Sequence, residues 1–471
     1  MPFLKIENPW SIYYSRYEGM EKKALELISK EMSTYRNEPI PCWKVKEDIP
    51  GNAVVVGRYS DNPFIQKYIR EADIPADGYL VKVMDNPQDP GHKIALVTGR
   101  TDRDVFYGAV DLVDDYFAQA IPYHIDRPCP DMLLHESMPD YFHASAPKIK
   151  TRNVFTWGHP IKDYRSYIAN IARLRFNQLI LWNDYAPVNL QDIVDYAHSY
   201  GIEVIFGFSW GWDEHLDTSD PATLQFWKEK VVDTYETQYA GVTGDGVYFQ
   251  TYTEVDEDYK DGRLIAESVT QWVNCIADAL YQKYPDLKIQ FGLHARSVKH
   301  HLEYLKNVDP RMEIVWEDCG DFPYHYRPGK TDHFEDAKAI TEQIALLRKN
   351  GPFGILIKGH NTMDWTGAIP QTGPFIMGES SEDACSRDIQ SMKPVWRVYQ
   401  SEWLHQGRYA QQIIQQLAEL TKGEVNIGEC GQFNGGIWFP MALCAQLIWD
   451  YDEDYEQIVK KVAARRCVLM A

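Results

Sequence analysis

Apolar residues fall along this chain in two alternating rhythms. Short β-branched runs read as buried strands, and stretches with apolar residues three and four apart read as helices. In residues 1–147, Ala53–Gly57, Gly78–Val83 and Lys93–Gly99 read as strands. Asp102–Phe117 places Val105, Ala109, Leu112, Val113 and Tyr116 along one side of a helix. The order of elements predicts a small α+β domain. Pro128–Pro147 is proline-rich and reads as a linker.

From residue 148 to 471 the rhythm becomes regular. Strand patterns occur at Lys150–Trp157, Gln178–Trp182, Glu203–Phe208, Gly246–Tyr252, Lys288–Gly292, Glu313–Trp316, Phe353–Lys358 and Val425–Gly428. Helical patterns separate them, at Asp163–Leu174, Leu190–Tyr200, Pro221–Tyr239, Ile265–Tyr284, Ser297–Asn307, Phe334–Arg348 and Gln400–Leu420, and Pro440–Trp449 follows the last strand. Eight strand–helix units imply a parallel sheet closed into a (β/α)₈ TIM barrel, so the fold class is α/β with a preceding α+β domain. A doubly wound sheet would show a G-x-G-x-x-G first turn, and none of these turns has one.

Active sites of such barrels lie at the carboxyl ends of the strands. Here those ends carry Trp157 and His159, Trp182 and Asn183, Trp210 and Trp212, Tyr252 and Glu254, His294, then Trp316, Glu317, Asp318 and Asp321, and finally Lys358 and His360. Aromatic faces stack on sugar rings, and carboxylates, His and Lys supply acids, bases and hydroxyl ligands. Glycosidic cleavage needs a proton donor at the leaving oxygen and a second carboxylate for water or the anomeric carbon. Glu254 follows an apolar strand, where partial desolvation raises a carboxyl pKa toward that of a general acid. Its partner is sought on strand six among Glu317, Asp318 and Asp321. Adjacent strand residues face opposite ways, and Asp318 is preferred over Glu317. Asp184, Asp213 and Glu214 rank lower. Trp157, Trp182, Trp210 and Trp316 are expected to build a sugar platform, with Trp212, Tyr252 and Asn183 beside it. His159, His294 and His360 would position hydroxyls. Lys358 would bind a uronate carboxylate or a hydroxyl.

Composition narrows the partners. The 471 residues carry a formal net charge of −20, which argues against nucleic acid and against an anionic membrane surface. Aromatic content is 13%, in keeping with carbohydrate binding. The eight cysteines form no CxxC pair and the histidines no H-E-x-x-H, so no metal and no cofactor is expected. The N-terminus lacks a basic n-region followed by an apolar h-region, and no apolar run would span a bilayer. A cytoplasmic protein is the simplest reading, and monomer and homo-oligomer stay open.

The motifs Val54-Val55-Val56-Gly57, Gly78-Tyr79-Leu80-Val81, Leu96-Val97-Thr98-Gly99-Arg100-Thr101 and Phe106-Tyr107-Gly108-Ala109 resemble the α+β domain that precedes the barrel in β-hexosaminidases and α-glucuronidases. The resemblance implies a glycosidase that removes a terminal sugar. Hexosaminidases of family 20 carry an Asp-Glu pair on strand four, and a related acetamido-assisted family carries two Asp; this chain has Thr253-Glu254 instead. The single Glu is similar to the general acid of family 67 α-glucuronidases, which implies a uronic acid substrate. The later acids sit in a different local sequence, and the long C-terminal helical region of those enzymes looks absent or truncated. Two rivals stay open: a β-N-acetylhexosaminidase-type enzyme and a non-catalytic carbohydrate-binding barrel. A lyase or isomerase on the same scaffold ranks below them.

Overall fold

The computed structural model describes residues 10–36, 39–117, 138–159, 161–211, 217, 219–294, 297–317, 334–349, 351–359, 371–430 and 435–471. Contacts divide the chain into two compact units. One is Met1–Pro147 with Ser199–Gly201 and Lys460–Val468, and the other holds the remainder.

The first unit is a six-stranded mixed sheet. Its strands are β1 (Trp10–Tyr14), β2 (Cys42–Lys44), β3 (Asn52–Val56), β4 (Tyr79–Asp85), β5 (Lys93–Gly99) and β6 (Tyr141–Ser145), ordered β2-β1-β3-β5-β4-β6. β4 runs antiparallel to both of its neighbours, β5 and β6, and the remaining pairings in the sheet are parallel. Val55, Leu80, Leu96, Phe64 and Ile65 pack into one core cluster. Part of the expected linker is therefore a strand: Tyr141–Ser145 pairs along the whole of β4 up to Val83. Main-chain pairing with β4 outweighs the prolines on either side. The helix Asp102–Val110 opens with a reciprocal capping box between Thr101 and Asp104. It then widens into a π-helical turn, Asp111–Tyr116, which buries three carboxylates. Asp111 accepts from Tyr141 Oη at 2.7 Å, and Asp115 holds the Arg465 guanidinium at 2.7 and 3.1 Å.

The second unit is a closed parallel barrel. Its strands are β7 (Thr151–Phe155), β8 (Gln178–Trp182), β9 (Glu203–Ser209), β10 (Gly246–Gln250), β13 (Lys288–His294), β14 (Glu313–Glu317), β15 (Phe353–Leu356) and β16 (Asn426–Cys430), with β16 closing on β7. A small hairpin, β11 (Tyr259–Lys260) and β12 (Arg263–Leu264), lies between β10 and its helix. The expected helix Ser297–Asn307 is reduced to a 3₁₀ segment, Leu302–Asn307. The expected Gln400–Leu420 is the second half of a 40-residue helix, Glu382–Thr421, which carries Pro394 within it. Lys422 ends that helix in the left-handed region, at φ 56°.

Side chains fill the barrel in layers. At the amino ends of the strands the layer is polar. Gln290 Nε2 donates to Gln178 Oε1 at 3.0 Å and to Glu313 Oε2 at 2.6 Å, while Asn426 and Asn153 continue the network. Burial pushes the Glu313 carboxyl above its usual range, and these amides pull it partly back. Above this, Phe155, Ile180, Ile205, Tyr248, Val315, Leu356 and Cys430 form an apolar layer. That layer seals the barrel beneath its mouth.

Candidate active site

The mouth is built on the next inward positions. Glu317, the last residue of β14, is fully buried (0% exposed), and it accepts hydrogen bonds from Tyr248 Oη and Gln250 Nε2. Lys358, just past β15, is 3% exposed and forms an ion pair with Glu317 Oε2. A buried pair of this kind holds only when further donors satisfy the carboxylate, as Tyr248 and Gln250 do here. Burial and the neighbouring Glu317 charge drive the Tyr248 hydroxyl far above its ordinary pKa, so it remains a donor.

Two backbone positions around this pair are strained. Trp157 and Lys358, which follow β7 and β15, both sit in the left-handed region at φ 52°. For residues with a Cβ this costs on the order of 1–2 kcal/mol each. The Lys358 ammonium lies 4.5 Å from the centroid of the Trp157 ring. The Trp157 indole N–H donates to Cys430 Sγ at 2.8 Å. On the far side, the buried carboxylate of Glu429 accepts from the Gly359 N–H at 3.1 Å and from the Cys430 N–H at 2.7 Å. These bonds fix the turn that carries Lys358. Burial first, and the Glu429 charge second, raise the Cys430 thiol well above its normal range.

Glu254 follows β10 through a pinned turn. Thr253 Oγ1 accepts from the His294 N–H at 3.2 Å, and Ser297 Oγ donates to the Thr253 carbonyl at 2.7 Å. The Glu254 side chain is 39% exposed, with Oε2 at 3.8 Å from His294 Nε2. The same nitrogen is 3.4 Å from Glu317 Oε2. The structure thus brings Glu254, His294, Glu317 and Lys358 into one connected group.

The two half-buried indoles, Trp157 and Trp182, have ring centroids 6.5 Å apart and planes tilted by 33°. Gly207 makes room for Trp182, since a side chain there would meet the Trp182 ring at 2.7 Å. His159 is half-buried, and burial lowers its imidazole to about 4. Asn183 is buried and accepts from Gln371 Nε2 at 3.0 Å, which ties the turn after β8 to the 371 segment.

Several expectations need correction. Trp210 is no sugar platform: it is 0% exposed and stacks on Phe249 with centroids 3.4 Å apart. Trp316 is buried on the row opposite Glu317, because neighbouring strand residues face opposite ways. Tyr252 turns from the mouth onto Trp272 in an edge contact and is likewise buried. Glu317, at the end of β14, faces into the barrel. Lys358 spends its charge on Glu317 rather than presenting it at the mouth. Trp212, Asp318, Asp321 and His360 lie outside the described residues.

The sequence reading missed Tyr248, Gln250, Glu429 and Cys430. Tyr248 and Gln250 were legible as inward positions of strand four by their spacing of two. Glu429 and Cys430 lay past the expected end of strand eight. Among the described residues, no three His, Cys, Asp or Glu side chains converge as a metal shell, and no helix is long and apolar enough to cross a membrane.

No family model and no curated protein matches the chain. Among solved structures it is similar to that of CpGH84B, with TM-score 0.51 and 11% identity over 96% of this chain and 70% of that one. It is also similar to that of CpGH84D, with TM-score 0.44 and 11% identity over 88% of this chain and 70% of that one. The first likeness agrees with the closed barrel and its preceding α+β unit, and it speaks to fold alone.

Proposed function

We propose that this protein is a glycoside hydrolase that removes a terminal sugar, with Glu254 as its proton donor. The observation that carries the reading is the placement of Glu254. It is a solvent-reaching carboxylate at the carboxyl end of the fourth barrel strand, next to the buried group of His294, Glu317 and Lys358, whose ammonium lies over the half-buried Trp157 ring. A partly exposed acid can meet a substrate, which the fully buried Glu317 cannot. Glu317 instead anchors Lys358 and His294. The second carboxylate of the reaction is then sought at Asp318 or Asp321.

The buried state of Lys358 favours a neutral sugar over a uronate. A substrate carboxylate would have to compete with Glu317, which already holds that ammonium with three other groups around it. Trp157 and Trp182 supply the apolar faces on which a sugar ring stacks.

The test is a panel of aryl glycosides, including glucosides, N-acetylglucosaminides and glucuronides, assayed with the full chain and with Glu254→Gln. The expected result is turnover of a neutral glycoside that falls by about 10²–10⁴ in the variant. Full activity in Glu254→Gln would overturn the assignment of the acid. Sugar binding without turnover of any member would favour a carbohydrate-binding barrel, and preference for glucuronides would return Lys358 to the substrate.

A further inference from the structure

The half-buried Trp157 indole is gripped at two places, and both grips lead back to one side chain. At its edge, the indole N–H donates to Cys430 Sγ at 2.8 Å, and the Cys430 N–H donates to Glu429 Oε1 at 2.7 Å. Over its ring, the Lys358 ammonium lies 4.5 Å from the centroid, and the next residue, Gly359, donates its N–H to Glu429 Oε2 at 3.1 Å. Glu429 is 0% exposed, and the two oxygens of its carboxylate divide between the two paths.

Each path is stiff for a physical reason. Cys430 is the last residue of β16 and pairs in register with Phe155, two residues before Trp157. It belongs to the apolar layer beneath the mouth, so its sulfur cannot move without opening that layer. Gly359 is held from both sides: its N–H by Glu429, and its carbonyl by the indole N–H of the fully buried Trp403 at 3.3 Å. The Gly359 N–H belongs to the peptide that follows Lys358, so the backbone torsions of Lys358 set its direction. Turning Lys358 from φ 52° to an ordinary extended conformation would swing that N–H away from Glu429. A buried carboxylate would then lose a donor, a cost that matches or exceeds the relief of left-handed strain. Glu429 thereby holds Lys358 in a conformation that lysine rarely adopts, with its ammonium over Trp157.

We propose that Glu429 is the positioning residue for Trp157: through Cys430 and through Lys358 it sets the angle at which the indole meets a sugar ring, without touching the sugar. The inference rests on Trp157 serving as a sugar platform. A stacking platform contributes alike to the bound substrate and to the transition state. Its misplacement therefore weakens binding and leaves the chemical step unchanged. This separates Glu429 from Glu254, whose loss lowers turnover.

Two measurements test this. The first needs no substrate: indole N–H NMR spectra of the full chain with isotope-labelled tryptophan, the signals being identified by their loss in Trp157→Phe, Trp403→Phe and Trp210→Phe. Glu429→Gln keeps one acceptor oxygen in place of two. It is expected to move the Trp157 and Trp403 signals and to leave that of Trp210, stacked on Phe249, in place. A Trp157 signal that does not move overturns the proposal. If Glu429→Gln does not fold, Cys430→Ala, which cuts the path at the indole edge, must move the Trp157 signal or the same conclusion follows. The second measurement is kinetics on the glycoside that the panel identifies, with the Kd of the sugar in place of KM if it binds without turnover. Glu429→Gln is expected to raise KM by about threefold to tenfold with kcat within about twofold. In a chain that already carries Trp157→Ala it is expected to add nothing further. Penalties that add in full in the double variant overturn the positioning role, because general damage to the fold does not need Trp157. An unchanged KM in Trp157→Ala itself would sink the platform reading, and with it the part of Glu429 in binding, while a moved indole signal would still show the coupling between the two residues.

Discussion

Glu317 and Lys358 form an ion pair in which neither side chain is more than 3% exposed. Removing one partner leaves a buried charge alone, which typically costs about 3–5 kcal/mol. Lys358→Met should therefore destabilise the barrel by about that amount in chemical denaturation. The double variant Lys358→Met with Glu317→Gln should recover much of the loss. A double variant as unstable as the two single losses added together would show that the pair is not the source.

Gly292 lies beneath the same pair. A methyl group at this position would overlap Tyr248 Oη and Glu317 Oε1. Gly292→Ala should displace Tyr248 or Glu317 and cost about 1–3 kcal/mol of stability. It should also lower turnover through loss of the ordered mouth. Unchanged stability and kcat in this variant would mean that the network tolerates displacement.

Trp210 and Trp182 should separate stability from binding. Trp210 is fully buried on Phe249, so Trp210→Ala should cost about 3–5 kcal/mol. Trp182 is half-buried at the mouth. Trp182→Ala should raise KM for a glycoside by about tenfold, the worth of one lost stacking contact. A KM equal to that of the unmodified chain would remove Trp182 from the sugar platform.

His159 should make stability depend on pH in a defined window. Its imidazole titrates near 4 in the fold, against 6.5 for the ordinary group, because burial disfavours the cation. Above pH 6.5 both folded and unfolded forms are neutral and the effect is absent. As pH falls from about 6.5 to about 4, the unfolded chain binds a proton that the folded chain refuses, so stability falls. The loss amounts to roughly 3 kcal/mol when the window has been crossed. His159→Gln should lose correspondingly less between pH 7 and 4 by urea denaturation, and an identical slope in both proteins would contradict the assignment.

Much of the scaffold was legible in the pattern of the chain. Short apolar runs marked the eight barrel strands, and helical spacing marked the segments between them. Eight such units, with no G-x-G-x-x-G first turn, implied closure. Glu254 was legible for the same reason: a carboxylate just past an apolar strand falls at the mouth of any such barrel. The strand β6 was not legible, because Tyr141–Ser145 gains its pairing from β4, far away in sequence. The shortened Leu302–Asn307 segment was not legible either, since helical spacing does not reveal which turns the neighbouring elements leave room for.

The chemistry of the mouth divides in the same way. Residue types and strand parity determined which side chains reach the carboxyl end: Trp157, Trp182, Gln250, His294, Glu317 and Lys358. Which of them meet was decided by the tertiary structure alone. Glu317 accepts from Tyr248 and Gln250 of one strand and pairs with Lys358 of another, and His294 lies between Glu254 and Glu317. Closing the barrel brings these distant segments within bonding range and removes the water around them. An acid, a lysine and a histidine that read from the chain as separate ligands for a substrate thereby become ligands for one another, and Glu254 is the one member of the group that reaches solvent to a large extent.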